Sequence, residues 1–208
     1  LSDALFAYRQ ASPRPLGIPR LLVGPASAPV RITEFTDVLC SHCAELHETL
    51  HELSQRVPPG SFSVEPRHFP LDGECNPMVT RRDAPVRCLA ARAQICLERK
   101  PGAFDFAGTL FERQRSLKPD MVLAIAQTHA PRAELQACIA SPETETKLRS
   151  DIDQAAAHGV DGTPLVLVNG RRGASFGPFL YAMVLTKGSP EHPAFAALPP
   201  PNPQAHVH

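Results

Sequence analysis

The chain has no excess of either charge. Its 208 residues carry 21 Lys and Arg against 21 Asp and Glu, a formal net charge of zero. Nucleic-acid and anionic-membrane partners call for a basic excess, and none is offered. Nor does any run approach the roughly 18–20 apolar residues that a membrane span needs. The longest apolar stretches, around Leu165 to Val168 and Phe179 to Leu185, suit a core strand and a core helix. No basic-then-apolar leader precedes the fold and the first residue is Leu, so the chain is expected to be either mature after processing or excised from something longer. Internal repeats are absent. A second Cys-x-x-Cys is absent too, which weakens any four-cysteine zinc arrangement. The Arg pairs at 81–82 and 171–172 read as solvated loop charges.

Apolar residues make up 43% of the chain, enough for a sizeable core in one domain with room for an insertion. Six cysteines, an even number, fit a disulfide-bearing exported protein better than a small cytosolic one. Proline is the compositional outlier, with 23 residues. Many of these fall in residues 11–29 and 189–208. Proline removes a backbone donor and fixes φ, so an extended arm and an irregular tail are expected there.

Between them strand and helix alternate. Residues 2–10 read as a helix with Ser2 as a possible N-cap. Val30 to Phe35 reads as a strand, and Cys40 to Val57 as a helix with Cys43, Leu46, Leu50 and Leu53 on one face. Ser63 to Phe69 is a second strand. A long helical region follows over 84–158, where Asp83 can cap a helix whose first turn holds Pro85. Leu165 to Val168 is a continuous apolar strand. Asn169-Gly170 is a strong hairpin signal, with Ala174 to Phe176 as the return strand and Phe179 to Lys187 as the closing helix. The order implies one α/β sheet with a helical block inserted between its halves. The expected divisions are a helix and arm over 1–29, sheet halves over 30–74 and 159–188, the insertion over 75–158, and the tail over 189–208.

The chemistry lies in Cys40-Ser41-His42-Cys43. Cys40 is expected over the free N–H groups of a helix's first turn, where these donors and the helix dipole stabilise a thiolate. Cys43 is nearly one turn on, within reach of a disulfide. His42 can add positive charge and a hydrogen bond to the thiolate, and a stabilised thiolate makes the disulfide a stronger oxidant. The rival is a zinc site of Cys40, Cys43, His47 and His51, the last three at four-residue spacing. No metal and no cofactor is assigned.

These features together resemble a DsbA-like member of the thioredoxin superfamily. The residues that carry the likeness are Ala28-Pro29-Val30-Arg31-Ile32-Thr33-Glu34-Phe35, then Cys40-Ser41-His42-Cys43, then Gly162-Thr163-Pro164. The resemblance implies a thioredoxin fold with an inserted all-helical domain, and a disulfide oxidoreductase that introduces disulfides into exported polypeptides. It implies that Glu34 is a buried acid moving protons near the cysteines. Pro164 would be a cis-proline facing them, and Thr163 would offer backbone hydrogen bonds to a substrate strand. Oxidising members usually carry Pro-His between the cysteines, where this chain has Ser41-His42. Reductase or isomerase activity are the other directions open to the same fold, and a zinc-binding or non-catalytic peptide-binding module is the reading from a different class.

Cys75, Cys88, Cys96 and Cys138 remain. If residues 84–98 form one helix, Cys88 and Cys96 lie about 12 Å apart along its axis, beyond the reach of about 7 Å between Cα atoms that a disulfide allows. Two pairings survive: Cys75–Cys88 with Cys96–Cys138, or Cys75–Cys96 with Cys88–Cys138. The first is preferred, because a loop cysteine can fold back on the start of its following helix. Such structural bonds contribute about 2–4 kcal/mol each. The stretch Phe69-Pro70-Leu71-Asp72-Gly73-Glu74-Cys75-Asn76-Pro77 is similar to thioredoxin-like domains fused to or partnered with vitamin K epoxide reductase-type membrane proteins. That likeness implies a quinone-linked membrane re-oxidase of this type or of the DsbB type. It also implies a periplasmic or extracytoplasmic place, with a membrane tether upstream of Leu1.

Overall fold

The computed structural model describes residues 1–15 and 17–202. In chain order its elements are α1 (Ser2–Gln10), β1 (Val30–Thr36), α2 (Ser41–Arg56), β2 (Phe62–His68), α3 (Val86–Leu97), α4 (Ala103–Glu112), α5 (Pro119–Ala126), α6 (Arg132–Ile139), α7 (Pro142–Ala157), β3 (Leu165–Val168), β4 (Arg171–Gly173) and α8 (Gly177–Leu185), with short 3-10 turns at Gln114–Ser116 and Pro193–Ala197. They fall into two compact units. The first holds Leu1–Glu34, Leu46–Pro66 and the chain from Pro164; the second holds Phe35–Glu45 and Arg67–Thr163.

The first unit is built on a sheet ordered β2-β1-β3-β4. β3 is buried along its whole length, as its unbroken apolar sequence requires. On α2, Leu46, Leu50 and Leu53 are buried, the repeat of one helical face. β3 and β4 pair antiparallel, with Val168 opposite Arg171. Their turn is Asn169 and Gly170, at φ 49° and 78°, the pair of positive values that a two-residue hairpin turn of this hand needs. Asn169 is held there by its own side chain: Oδ1 accepts from the Arg31 N–H at 2.8 Å and Nδ2 donates to the Pro29 carbonyl at 3.2 Å.

Three expectations change in this unit. The return strand is Arg171–Gly173 rather than Ala174 to Phe176, because a two-residue turn leaves no spare residues and pairing resumes at once. Arg171 is therefore not a solvated loop charge. Its guanidinium lies 5.2 Å from the centre of the Tyr8 ring and Nη1 donates to the Arg9 carbonyl at 3.2 Å. At the chain start Leu1, not Ser2, occupies the N-cap, with no side-chain cap. The arm crosses the β2 edge through an antiparallel bridge between Val23 and Val64. The tail is tied to α1 by an Arg9–Glu191 ion pair at 3.1 Å; its last residues, 203–208, lie outside the described residues, as does Leu16 in the arm.

The second unit is helical and centred on α3, which packs on α4, α5, α6 and α7. Its inward residues include Ala90 and Ala93, in one core with Leu97, Phe106, Leu110, Val122 and Leu135; the small alanines let the other helices approach closely. α3 begins at Val86 with Pro85 at its N-cap and no side-chain cap. Asp83 instead pairs with Arg81 on the surface, so it does not cap the helix. Disulfides join Cys75 to Cys88 and Cys96 to Cys138. A buried ion pair, Arg67 Nη1 to Asp151 Oδ1 at 2.9 Å, fixes the end of β2 to α7, and Asp151 Oδ2 accepts the His68 N–H at 3.1 Å.

Candidate active site

Cys40 immediately precedes α2, and its carbonyl accepts the N–H groups of Cys43 at 3.2 Å and Ala44 at 3.3 Å. The sulfur thus sits at the positive end of a helix, as the sequence predicts. Cys40 and Cys43 are both free thiols, Cys40 half-buried and Cys43 buried. The neutral Cys40 thiol donates to the Thr163 carbonyl at 3.3 Å.

The two thiols are driven in opposite directions. The Cys40 pKa is lowered to about 6, first by the hydrogen bond from Cys43, then by the Thr163 side chain and the backbone N–H groups of Cys43 and His42, all acting against burial. The Cys43 pKa is raised far above its ordinary range, first by burial and then by its role as donor to Cys40. A pair with one easily ionised, half-buried sulfur and one fully buried sulfur whose proton is strongly held has a defined attacking or leaving atom.

His42 contributes differently from the expectation. Its ring is exposed, with Nδ1 3.0 Å from Glu45 Oε2. Glu45 first and the Cys40 charge second push its pKa up, which favours the imidazolium form. The hydrogen bond that His42 gives the sulfur comes from its backbone N–H, not from its ring.

Thr163 belongs to the same unit as the cysteines, while Glu34 and Pro164 are counted with the sheet. The Thr163 hydroxyl is buried and Oγ1 has no other hydrogen-bond partner among the described residues. Pro164, next in the chain, is half-buried. Glu34 is buried at 3% exposure, its Oε2 has no hydrogen-bond partner among the described residues, and burial raises its pKa to about 8. A carboxyl in that range can give or take a proton near neutral pH. For the zinc rival, His51 stands exposed with its Nε2 2.9 Å from Gln55 Nε2. Among the described residues the potential metal ligands that converge are Glu74, Cys75 and Cys88, and there the two sulfurs are bonded to each other.

Three residues that sequence reasoning passed over support the cysteine turn. Asp37 is buried and paired with Arg87. Gln114 Nε2 donates to the carbonyls of Val38 at 3.1 Å and Cys40 at 3.2 Å. Asp37 carried a weak signal, an acid between an apolar strand and the cysteines; Arg87 and Gln114 carried none, because their partners are distant in sequence. No helix among the described residues is long and apolar enough to cross a membrane.

The thioredoxin family profile matches residues 18–175. A stretch of 150 residues is 27% identical to part of the Na(+)/H(+) antiporter NhaA 3 of Salinispora tropica, covering 72% of this chain and 21% of that protein. The chain therefore spans about a fifth of the length of the curated relative it matches. Among solved structures, BdbD of Bacillus subtilis is similar at a TM-score of 0.69 with 17% identity, over 85% of this chain and 97% of that one. Wolbachia pipientis α-DsbA1 is similar at 0.63 with 20% identity, over 83% and 96%. Reduced DsbA1 of Neisseria meningitidis is similar at 0.56 with 18% identity, over 86% and 92%. These likenesses carry the fold, a thioredoxin-type sheet unit with a helical insertion.

Proposed function

The chain belongs to the thioredoxin family, and from that premise we propose that it is a thiol–disulfide oxidoreductase working as a dithiol oxidant of exported polypeptides. The observation that carries this reading is the divided acidity of the pair, a Cys40 pKa of about 6 beside a buried Cys43 whose proton is tightly held.

A substrate thiolate attacks Cys40 Sγ of the Cys40–Cys43 disulfide. The intramolecular S–S bond breaks, a mixed disulfide forms, and Cys43 leaves as a thiolate that takes up a proton. We assign that proton supply to Glu34, which holds a proton up to about pH 8. A second substrate thiolate then attacks the substrate sulfur of the mixed disulfide, and Cys40 leaves as the stabilised thiolate. The substrate is oxidised by two electrons and the pair is reduced by two. Thr163 and Pro164 are assigned to the substrate strand; the Thr163 carbonyl, held by the Cys40 thiol at 3.3 Å, is released when that thiol ionises. The electrons leave to a quinone-linked membrane re-oxidase of the vitamin K epoxide reductase or DsbB type. An extracytoplasmic place beside a membrane, with a tether upstream of Leu1, is supported by the two disulfides of the helical unit and by the likeness to part of a protein named as an antiporter.

A thiolate pKa of about 6 falls between about 7 for thioredoxin and about 3.5 for DsbA. For an oxidant the potential is accordingly expected above about −200 mV, toward about −120 mV. Equilibration with glutathione buffers measures it. A value near those of glutaredoxin or thioredoxin, about −200 to −270 mV, assigns the pair to reduction instead. In the same assay Cys40→Ala abolishes exchange, whereas Cys43→Ala accumulates mixed disulfides at Cys40.

A further inference from the structure

Asp37 lies three residues before Cys40 and touches both cysteines through its backbone. Its carbonyl accepts the Cys40 N–H at 3.1 Å, and its own N–H donates to Cys43 Sγ at 3.5 Å. Its side chain, buried at 2% exposure, ties that backbone to its surroundings. Oδ1 accepts the Leu39 N–H at 2.8 Å and pairs with Arg87 Nη1. Oδ2 accepts the Leu71 N–H at 2.8 Å.

Both outer partners are held in turn. Leu71 belongs to a loop closed on itself: Gly73 donates to the Arg81 carbonyl at 2.7 Å, and Asp72 accepts the N–H groups of Glu74 and Ala84, each at 2.8 Å. Arg87 is in the first turn of α3 beside Cys88, which is bonded to Cys75 of that loop. Cys75–Cys88 thus joins the two segments that grip the Asp37 carboxylate.

We infer that Asp37 is a positioning residue for the Cys40–Cys43 pair, clamped by Arg87 and the Leu71 N–H, and that this clamp sets the reactivity of Cys40. The strongest acidifying contact on Cys40 is its hydrogen bond from Cys43, which fails if Cys43 Sγ drifts. Charge alone acts with the opposite sign. A carboxylate near a thiolate disfavours it, so deleting that charge without loss of position lowers the Cys40 pKa.

Asp37→Asn separates the two effects. A carboxylate accepts on both oxygens, whereas an amide offers one acceptor oxygen and turns an NH2 group toward N–H donors. The inference rests on the exchange reading for its consequence, but ultraviolet titration of the reduced protein reads the Cys40 thiolate directly. Asp37→Asn is expected to raise the midpoint by about one unit, a tenfold change in the ionisation constant. Arg87→Met is expected to raise it by less, and it carries the test if the Asn variant does not fold. Circular dichroism establishes folding in both cases. A midpoint that is unmoved or lowered in a folded variant overturns the inference. A parent midpoint near the ordinary value of about 8.5 overturns the exchange reading instead.

Discussion

The two ends of β1 treat a buried carboxyl in opposite ways. Toward its start, Glu65 on the neighbouring strand is buried with its side chain 1% exposed. It receives the Arg31 guanidinium through Nε at 2.8 Å and through Nη2, and the Thr33 hydroxyl at 2.9 Å. Toward its end, Glu34 is also buried, and one of its oxygens has no hydrogen-bond partner among the described residues. Burying a charge is tolerable when it is paired and hydrogen-bonded. Glu65 meets that condition and serves as scaffold. Glu34 does not meet it and keeps its proton to about pH 8 instead, as a carboxyl available for proton exchange does and a scaffold carboxylate does not.

Breaking the provided-for end gives the largest effect. Arg31→Met takes the guanidinium away from the buried Glu65 carboxylate, and removal of one partner from a buried pair costs about 3–5 kcal/mol. Denaturant unfolding with an unchanged m-value measures it; a loss within about 0.5 kcal/mol, the size of an ordinary surface substitution, would show that Glu65 is not dependent on Arg31.

At the unprovided end the sign reverses. The folded pKa of Glu34 is raised from 4.5 to about 8, so over that window the unfolded chain has released the proton and the native state still holds it. Each pH unit in the window therefore costs the native state up to about 1.4 kcal/mol. Glu34→Gln is expected to be near neutral at pH 4 and to stabilise by on the order of 3 kcal/mol at pH 7. Parallel stability–pH curves for parent and variant would show that Glu34 ionises normally. The same variant should slow exchange if Glu34 supplies the Cys43 proton, so stability and rate move in opposite directions.

The contrast also separates what the sequence reveals from what it hides. Cys40 and Cys43 are visible because their spacing, the strand before them and the helix after them are all local. Asn169-Gly170 announces its turn for the same reason: positive φ is a property of single residues. The return strand is displaced because Arg171 and Arg172 look like loop charges, yet an end strand can carry arginines, one of which lies over Tyr8. Glu65 reads as an ordinary polar position in β2, and its burial depends on Arg31, 34 residues away. Asp37 and Arg87 are 50 residues apart, with no periodicity to link them. The hidden features are pairs made by topology; the legible ones are made by neighbours in the chain.

His42 gives the smallest expected effect and tests how far exposure discounts a charge. In the sequence it is the residue that points to an oxidising pair. In the structure its ring is exposed and engaged with Glu45 at 3.0 Å, so solvent and salt screen its field at the Cys40 sulfur. Its backbone N–H, which survives any substitution except proline, makes the hydrogen bond. His42→Ala is therefore expected to raise the Cys40 midpoint by less than about half a unit, a change of under about threefold in thiolate formation. The residual effect should shrink further in high salt. A rise of a full unit, insensitive to salt, would return the control of Cys40 to the imidazolium and away from the buried contacts with Cys43, Thr163 and the helix N–H groups.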